Sequence, residues 1–360
     1  MTAASDAFNA AFGAARPRFF SIDSNRPFLE DFAQAFSEAL DKDPLAIASS
    51  TVLTPTRRSA RALGDVFRRL AAEQGVRATV LPSIRPLGDI DEDEWLIAAS
   101  ADDVDIDFAP PVSGVERRLI LAQLVAARDR AFAGAENWPA ALAAASELAK
   151  LLDSFYTEEI AFSALKTVVP AQFAEHWSRS LDFLEIVVKA WPAYLESADR
   201  TDPADRIVKR IDALERRWRA TPPSSPVAVI GSTGSAPAVA RLLKTVADFD
   251  RGLVVLPGLD RTLAAEDAWS TIDDPHPQAG LRALLNSLEV DRTAIRRWPS
   301  PYADDSADGS ERRRLLSMAL RPAEATEDWR RLPFPDTNTP ISVLLPDQQP
   351  GLGQVTVVGT

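Results

Sequence analysis

Cysteine is absent from the 360-residue chain, and this excludes disulfides, thiolate zinc sites, iron–sulfur clusters and cysteine nucleophiles. Histidine is scarce: His176 and His276 are the only two, and they give no basis for a Ser–His–Asp triad. No apolar run approaches the roughly 18–20 residues that a bilayer span requires. The N-terminal stretch also lacks the basic region and apolar core of a secretory signal. We therefore expect a cytoplasmic protein with no membrane association.

Positive charge is in deficit, since 40 Lys and Arg against 52 Asp and Glu give a net charge of −12. Proteins that hold nucleic acid over a wide face usually carry a positive surface. The charge balance therefore disfavours a protein that binds duplex DNA unaided. It leaves open a local basic groove or a subunit of a larger DNA-processing complex. With 46% hydrophobic residues the chain has ample apolar surface for a core, and its length favours two lobes.

Short apolar strands alternate with amphipathic helices in both halves of the chain. The predicted strands are Phe19–Ile22, Thr51–Thr54, Ala78–Leu81, Val227–Ile230 and Leu253–Leu256, with helices at Leu29–Leu40, Ser59–Leu70 and Pro237–Val246. Between Gly114 and Trp218 the pattern is helical throughout. The predicted fold class is α/β, with a helicase-like parallel sheet interrupted by an all-helical subdomain.

These patterns divide the chain into five predicted segments. They are an N-terminal extension at 1–18, the first part of an α/β lobe at 19–112, a helical insert at 113–221, the second part of the lobe with its following helices at 222–332, and a divergent tail at 333–360. The tail contains no Lys or Arg and is rich in proline, so we expect it to be disordered.

The turn after the first strand, Asp23–Phe28, lacks a phosphate-binding loop. Such a loop needs glycines whose amides approach the phosphates, a lysine, and a following Ser or Thr. This turn has no glycine and no lysine, and Pro27 removes one amide donor. The sequence therefore predicts an ordinary strand–helix connection here, without nucleotide binding and without catalysis.

The first candidate site follows the second strand and consists of Thr56, Arg57, Arg58 and Arg61. A hydroxyl and several cations beside a helix N-terminus suit a phosphate of single-stranded DNA, because oriented amides add to the charge of the guanidiniums. The alternative interpretation is a solvated first helical turn in which Thr56 or Ser59 caps the helix.

The second candidate site is a turn between a buried strand and a helix, formed by Gly231, Ser232, Thr233, Gly234 and Ser235. Amides and hydroxyls in such a turn can bind an anion. Two glycines without a lysine make a weak nucleotide fingerprint, and Asp260 lies beyond a turn instead of at the end of the next strand. The alternative interpretation is a tight turn at the edge of the sheet.

Two further polar segments have structural interpretations. The carboxylate run Asp89–Trp95 is typical of a solvated loop that caps the next helix, with a cation site or a basic partner as the alternative. Asp273–Gln278 contains His276, but its two prolines indicate a turn instead of a metal site. His176 is predicted to be a packed or surface residue of a helix, so no metal site is predicted.

Five segments together resemble the N-terminal part of the AddB family, in its alphaproteobacterial form, whose members act in repair of DNA double-strand breaks. The matching segments are Thr54–Leu63, Leu81–Glu94, Gly231–Ser235, Val255–Asp260 and His276–Gln278. Each segment alone is a weak motif, whereas five in the same order are specific. The resemblance covers about Phe19 to Leu332.

The resemblance implies a superfamily 1 helicase-like lobe that has lost its motor function, with the helical insert as a helicase subdomain. It implies an AddA-type helicase–nuclease subunit as partner, which hydrolyses ATP, and single-stranded or duplex-end DNA as the nucleic acid that the complex processes. The chain itself would guide DNA without an ATPase or nuclease site. The iron–sulfur nuclease domain of the family lies in a C-terminal part that this chain lacks, so no cofactor is expected here.

The chain departs from the family in its length and in Pro333–Thr360, which no longer resembles AddB. We expect a reading frame that is truncated or shifted near Leu332. Two alternatives stay open at this point. One is an enzyme that binds a nucleotide or another phosphorylated ligand at Gly231–Ser235. The other is a non-functional remnant that folds poorly because its apolar surface is uncovered.

Overall fold

The structure is a computed structural model that describes residues 11–75, 79–87, 109–133, 137–162, 186–234, 236–261, 263, 269–299, 313, 316–317 and 319–322. The chain divides into two compact units. The sheet unit comprises Met1–Asp89, Thr221–Ser235 and Leu243–Thr360, and the helical unit comprises Ile90–Ala220 and Ala236–Leu242.

A six-stranded parallel sheet forms the centre of the sheet unit. Its strands are β1 Phe19–Ile22, β2 Thr51–Thr54, β3 Ser83–Pro86, β4 Val227–Ile230, β5 Gly252–Pro257 and β6 Arg296–Arg297. Their order across the sheet is β3-β2-β4-β5-β1-β6, and every pair of neighbours is parallel. The predicted α/β class and the parallel sheet are confirmed, and an all-parallel sheet with helices on its faces is consistent with a fold of the Rossmann or P-loop kind.

Helices occur in both units. They are α1 Phe28–Ala39, α2 Pro44–Ser49, α3 Arg57–Glu73, α4 Gly114–Ala133, α5 Trp138–Thr157, α6 Trp191–Ala198, α7 Pro203–Ala220, α8 Pro237–Ala247 and α9 Ala279–Leu288, with a π-helical turn at Ile186–Ala190 and a 3₁₀ turn at Arg292–Ala294. Among the residues described, no helix is long and apolar enough to cross a membrane.

The core of the sheet unit forms where α1 and α3 cover one face of the sheet. Phe32 and Phe36 of α1 and Leu63 of α3 pack on strand residues that include Phe20 and Ile230. Alternate residues on the strands, such as Val229 and Val254, are buried as well. Both faces of the sheet are therefore covered, which explains why β4 and β5 are apolar along their length instead of alternating.

The third strand differs from the sequence prediction. Ala78–Leu81 was expected to form it, but Thr79 to Pro82 precede the strand, and β3 begins at Ser83. Val80 is 52% exposed, so this apolar residue does not mark a buried strand. Pro86 fits in β3 because β3 is an edge strand among the strands that the structure describes, and the outer side of its backbone has no neighbour there that needs an amide.

The helical unit has a core of its own, in which α4 and α5 pack together with Trp191. A buried carboxylate, Asp202, stands at the start of α7. Its Oδ1 accepts a hydrogen bond of 2.9 Å from the amide of Ala204, and its Oδ2 accepts one of 3.0 Å from the indole of Trp191. Arg117 forms an ion pair of 2.9 Å with the same Oδ2. Asp202 therefore joins three helices of this unit through one side chain.

Candidate functional site

The carboxyl ends of the parallel strands lie along one edge of the sheet, and both predicted sites lie there. The segment Thr56–Arg61 follows β2, and Gly231–Gly234 follows β4, which pairs with β2. From β2 the chain continues to β3 on one side, and from β4 it continues to β5 on the other. This is a topological switch point, where the crevices of open α/β sheets bind ligands.

The segments that follow three different strands meet at Gly231. A Cβ atom on Gly231 would lie 3.4 Å from Cε1 of Phe28, the first residue of α1, and 3.8 Å from Cδ of Pro55, the residue after β2. Gly231 has a φ of +68°, a conformation that favours glycine. The structure therefore brings the two predicted sites together, and the Phe28 ring also lies beside Gly231.

Thr56 and Ser59 cap the N-terminus of α3. The Oγ1 atom of Thr56 accepts a hydrogen bond of 3.1 Å from the amide of Ser59, and the Oγ of Ser59 accepts one of 3.0 Å from the amide of Thr56. This reciprocal arrangement is a capping box. The capping interpretation of these hydroxyls is thus observed, while phosphate contact by Thr56 stays a prediction.

Three exposed arginines, Arg57, Arg58 and Arg61, lie among the first five residues of α3. The first turn of this helix has no acidic residue. The positive end of a helix dipole repels cations, so this placement lowers helix stability unless an anion is present. Further along α3 the arginines have carboxylate partners, because Arg68 pairs with Asp65 and Arg69 pairs with Glu30 at 2.7 Å.

Two backbone amides of the turn Gly231–Gly234 donate hydrogen bonds to groups within the protein. The amide of Gly231 donates to the carbonyl of Val255 at 2.9 Å, and the amide of Gly234 donates to the Oγ of buried Ser232 at 3.1 Å. Thr233 is exposed. Anion binding at this turn stays a prediction, with fewer available donors than the sequence suggested. Ser235 lies outside the described residues.

The turn after β1 is held by side-chain ion pairs. Asp23 Oδ2 lies 2.7 Å from Nη1 of Arg313, which also donates to Oδ1 of Asn25 at 3.0 Å. Asp31 in the first turn of α1 pairs with Nε of Arg26 at 3.0 Å. Carboxylates and guanidiniums thus occupy the turn in which the sequence lacks a phosphate-binding loop.

Gln278 holds the loop after β5 in place, a role that the sequence analysis did not identify. Its side-chain Nε2 donates to the carbonyl of Gly258 at 2.9 Å, and its Oε1 accepts from the amide of Asp260 at 3.0 Å. The Nδ1 of His276 accepts from the backbone amide of Gln278 at 3.0 Å. The predicted turn at His276 therefore clamps the loop after β5. In the sequence, the two prolines beside His276 and Gln278 predicted the turn, but they gave no sign of its contacts with the loop after β5.

The remaining sequence candidates lie outside the described residues. They are the carboxylate run Asp89–Trp95 and His176. Among the residues that the structure describes, no three His, Asp or Glu side chains are grouped to hold a metal ion.

The parallel sheet and the segments at its carboxyl edge define a doubly wound α/β protein. The basic N-terminus of α3 lies at the switch point of its sheet. No protein-family model matches the chain, and no curated protein sequence matches it either.

Proposed function

We propose that this chain is the N-terminal part of an AddB-type subunit that guides single-stranded DNA along the carboxyl edge of its sheet, beside an AddA-type motor subunit. The observation that carries the proposal is the exposed arginine cluster Arg57, Arg58 and Arg61 at the N-terminus of α3. The order of the five AddB-like segments and the turn Asp23–Phe28, which has no phosphate-loop residues, support it.

The guiding role follows from the charges of the cluster. Phosphates of a DNA strand would replace the acidic residues that the first turn of α3 lacks, and they would meet both the guanidiniums and the oriented amides of the helix. Such contacts position a strand without reading its bases. ATP hydrolysis and strand cleavage would belong to other parts of the complex.

The first test replaces Arg57 and Arg58 together with alanine and measures affinity for a fluorescent single strand by anisotropy at several salt concentrations. Each lost phosphate contact lowers the slope of log K against log salt by about 0.7 on single strands, so the double variant should lose about 1.4. The matched control is R68A/R69A, which removes the same charge from the same helix at positions with carboxylate partners.

An unchanged salt slope in R57A/R58A would remove these arginines from the interface, as would an equal loss in the control. Co-purification with an AddA-type subunit tests the partner assignment separately. Calorimetric titration with ATP and NAD tests the alternative, an enzyme that binds a phosphorylated ligand at Gly231–Gly234. Micromolar binding of either nucleotide would favour that alternative.

A further inference from the structure

The aromatic residues of α1 form a stripe that ends at the carboxyl edge of the sheet. Phe28, Phe32 and Phe36 follow one another at intervals of four residues, which places them on one face of the helix. Phe32 and Phe36 are completely buried and stack with ring centroids 5.1 Å apart. Phe28 is only partly buried, and its ring has no aromatic partner within the part of the chain that the structure describes. The stripe therefore ends in a partly exposed ring.

This ring lies where the segments after three strands meet. Cε1 and Cζ of Phe28 are 3.4 and 3.8 Å from the position that a Cβ atom would take on Gly231, and Cδ of Pro55 is 3.8 Å from the same position. Phe28 follows β1, Pro55 follows β2 and Gly231 follows β4. A side chain at position 231 would stand against the ring, so glycine is the residue that covers it least.

The arginine cluster of α3 begins close to this ring. Pro55 precedes the capping residue Thr56, and Arg57 and Arg58 are the first two residues of the helix. Consecutive Cα atoms are about 3.8 Å apart, so the backbone of Arg57 lies at most about 8 Å from that of Pro55. A strand that is held at these guanidiniums through its phosphates would thus bring a neighbouring base within reach of Phe28.

An aromatic ring beside guanidiniums suits an unpaired nucleotide. Proteins that bind single strands without sequence preference combine positive charge along the backbone with aromatic side chains on which bases stack, because every base has a π-face. A base in a duplex is already stacked and paired, and it must be unstacked before it can meet a protein ring. Stacking therefore distinguishes unpaired strands from duplexes, whereas phosphate contacts alone do not.

We propose that Phe28 stacks on an unpaired base of the strand at this edge and thereby selects single-stranded over duplex DNA. The inference rests on the proposed function, because it takes the strand at the arginines of α3 as the ligand. The alternative role for Phe28 is packing against Gly231 and Pro55 alone. Packing depends on the volume of an apolar side chain, whereas stacking requires an aromatic face, so suitable variants separate the two roles.

The test uses the full chain and two fluorescent single strands of equal length, one with thymine bases and one that is abasic throughout. The two strands carry the same phosphates and differ only in their bases. Stacking of one base corresponds to a change in affinity of about 5–150-fold. We expect F28L to lose about fivefold or more on the thymine strand and nothing on the abasic strand, as measured by anisotropy.

Three controls accompany this comparison. F28Y keeps the aromatic face and should bind both strands like the unmodified chain. W138L replaces another partly exposed aromatic residue, on α5, and should also leave both affinities unchanged. On a duplex of the same length, F28L should bind like the unmodified chain. Retained binding of the abasic strand by F28L shows that this variant is folded.

The outcomes distinguish this inference from the proposed function. Equal affinity of F28L and the unmodified chain for the thymine strand overturns the stacking role, as does an equal loss on both strands or an equal loss in W138L. The salt slope of R57A/R58A tests the arginines independently. If that slope is unchanged while F28L loses affinity only for the thymine strand, the arginine contacts are overturned and stacking is supported. If the unmodified chain binds neither strand, both proposals are overturned.

Discussion

Gly234 shows how a single residue at the candidate site is determined by packing. Its φ of +57° lies in the left-handed region. A Cβ atom there would overlap the side chain of Leu284 on α9 and lie 3.0 Å from Cδ1 of Leu243 on α8. The glycine is therefore required by the helices beneath the turn, and it needs no bound ligand to explain it.

The variant G234A should destabilise the protein through both effects. Left-handed backbone costs an L-residue about 1–2 kcal/mol, and overpacking against Leu284 adds about 1–3 kcal/mol. The matched control is G75A, since Gly75 also has positive φ, +74°, but has nothing within 4 Å of an added Cβ. Urea denaturation of both variants isolates the packing contribution. Equal losses in the two would show that Leu284 yields without cost.

At the scale of elements, α3 serves two purposes along its length. Its buried face, with Leu63, Val66 and Phe67, packs on the sheet beside α1. Its first turn contains arginines and no acidic residue, and a later turn connects to α1 through Arg69 and Glu30. The hydrogen bond from Arg69 lowers the pKa of Glu30 below its ordinary value of 4.5.

This ion pair predicts a pH-dependent contribution to stability. Because the pKa of Glu30 is lower in the folded state, its contribution is fully present above pH 4.5 and is lost as pH falls through the lowered value. R69Q should therefore cost about 0.2–1 kcal/mol at pH 7, the range of exposed pairs, and almost nothing in strong acid.

Urea denaturation of R69Q and the unmodified chain from pH 7 down to about pH 2, below the ordinary range of a glutamate, measures that difference. The matched control is R61Q, which removes a charge of the same kind from an exposed position of α3. Its difference from the unmodified chain should stay constant through the titration of Glu30. A constant difference in R69Q as well would show that the pair contributes no stability.

At the scale of the whole molecule, the sheet joins segments that are far apart in the chain. β1 lies between β5 and β6, and its residue Phe20 is opposite Val255 on one side and Arg296 on the other. Phe20 also meets Trp298 edge to face, with ring centroids 5.4 Å apart. The first strand in the sequence therefore becomes an interior strand that is stabilised by the later segments.

Truncating Phe20 should consequently weaken the entire sheet unit. Replacing a buried phenylalanine with alanine typically costs about 3–5 kcal/mol, and Phe20 is 1% exposed. V80A, at an exposed position before β3, should cost less than about 0.5 kcal/mol. Chemical denaturation followed by tryptophan fluorescence measures both. A loss below about 1 kcal/mol in F20A would contradict an interior role for β1.

The prediction from sequence succeeded where local pattern and burial agree. β1, β2 and β4 have the predicted bounds, and the helices after them form near the predicted positions, because continuous apolar runs and amphipathic stripes are visible in a single segment. The predicted bounds of the third strand were wrong, because Val80 is exposed and Pro86 is acceptable in a strand at the edge of the sheet. An edge position depends on strand order, which no local pattern contains.

For the candidate sites the same division applies. The arginines at the start of α3 and the glycines of 231–234 were visible in the sequence, and their chemistry could be named from residue type. Their nearness through Phe28 and Pro55 was not visible, since β2 and β4 become neighbours only in the assembled sheet. The segment His276–Gln278 gave no sign that Gln278 holds the loop after β5, because that role arises from contacts with Gly258 and Asp260, about 20 residues away in the chain.

The sequence by itself determined the α/β class, the parallel strands and the missing phosphate-loop residues, because each depends on side chains that are neighbours along the chain. The tertiary structure alone decided the strand order and the meeting of the two candidate sites. Parallel strands are joined by long crossovers, so the residues that share one edge come from well-separated segments. These residues become neighbours only after the sheet has formed.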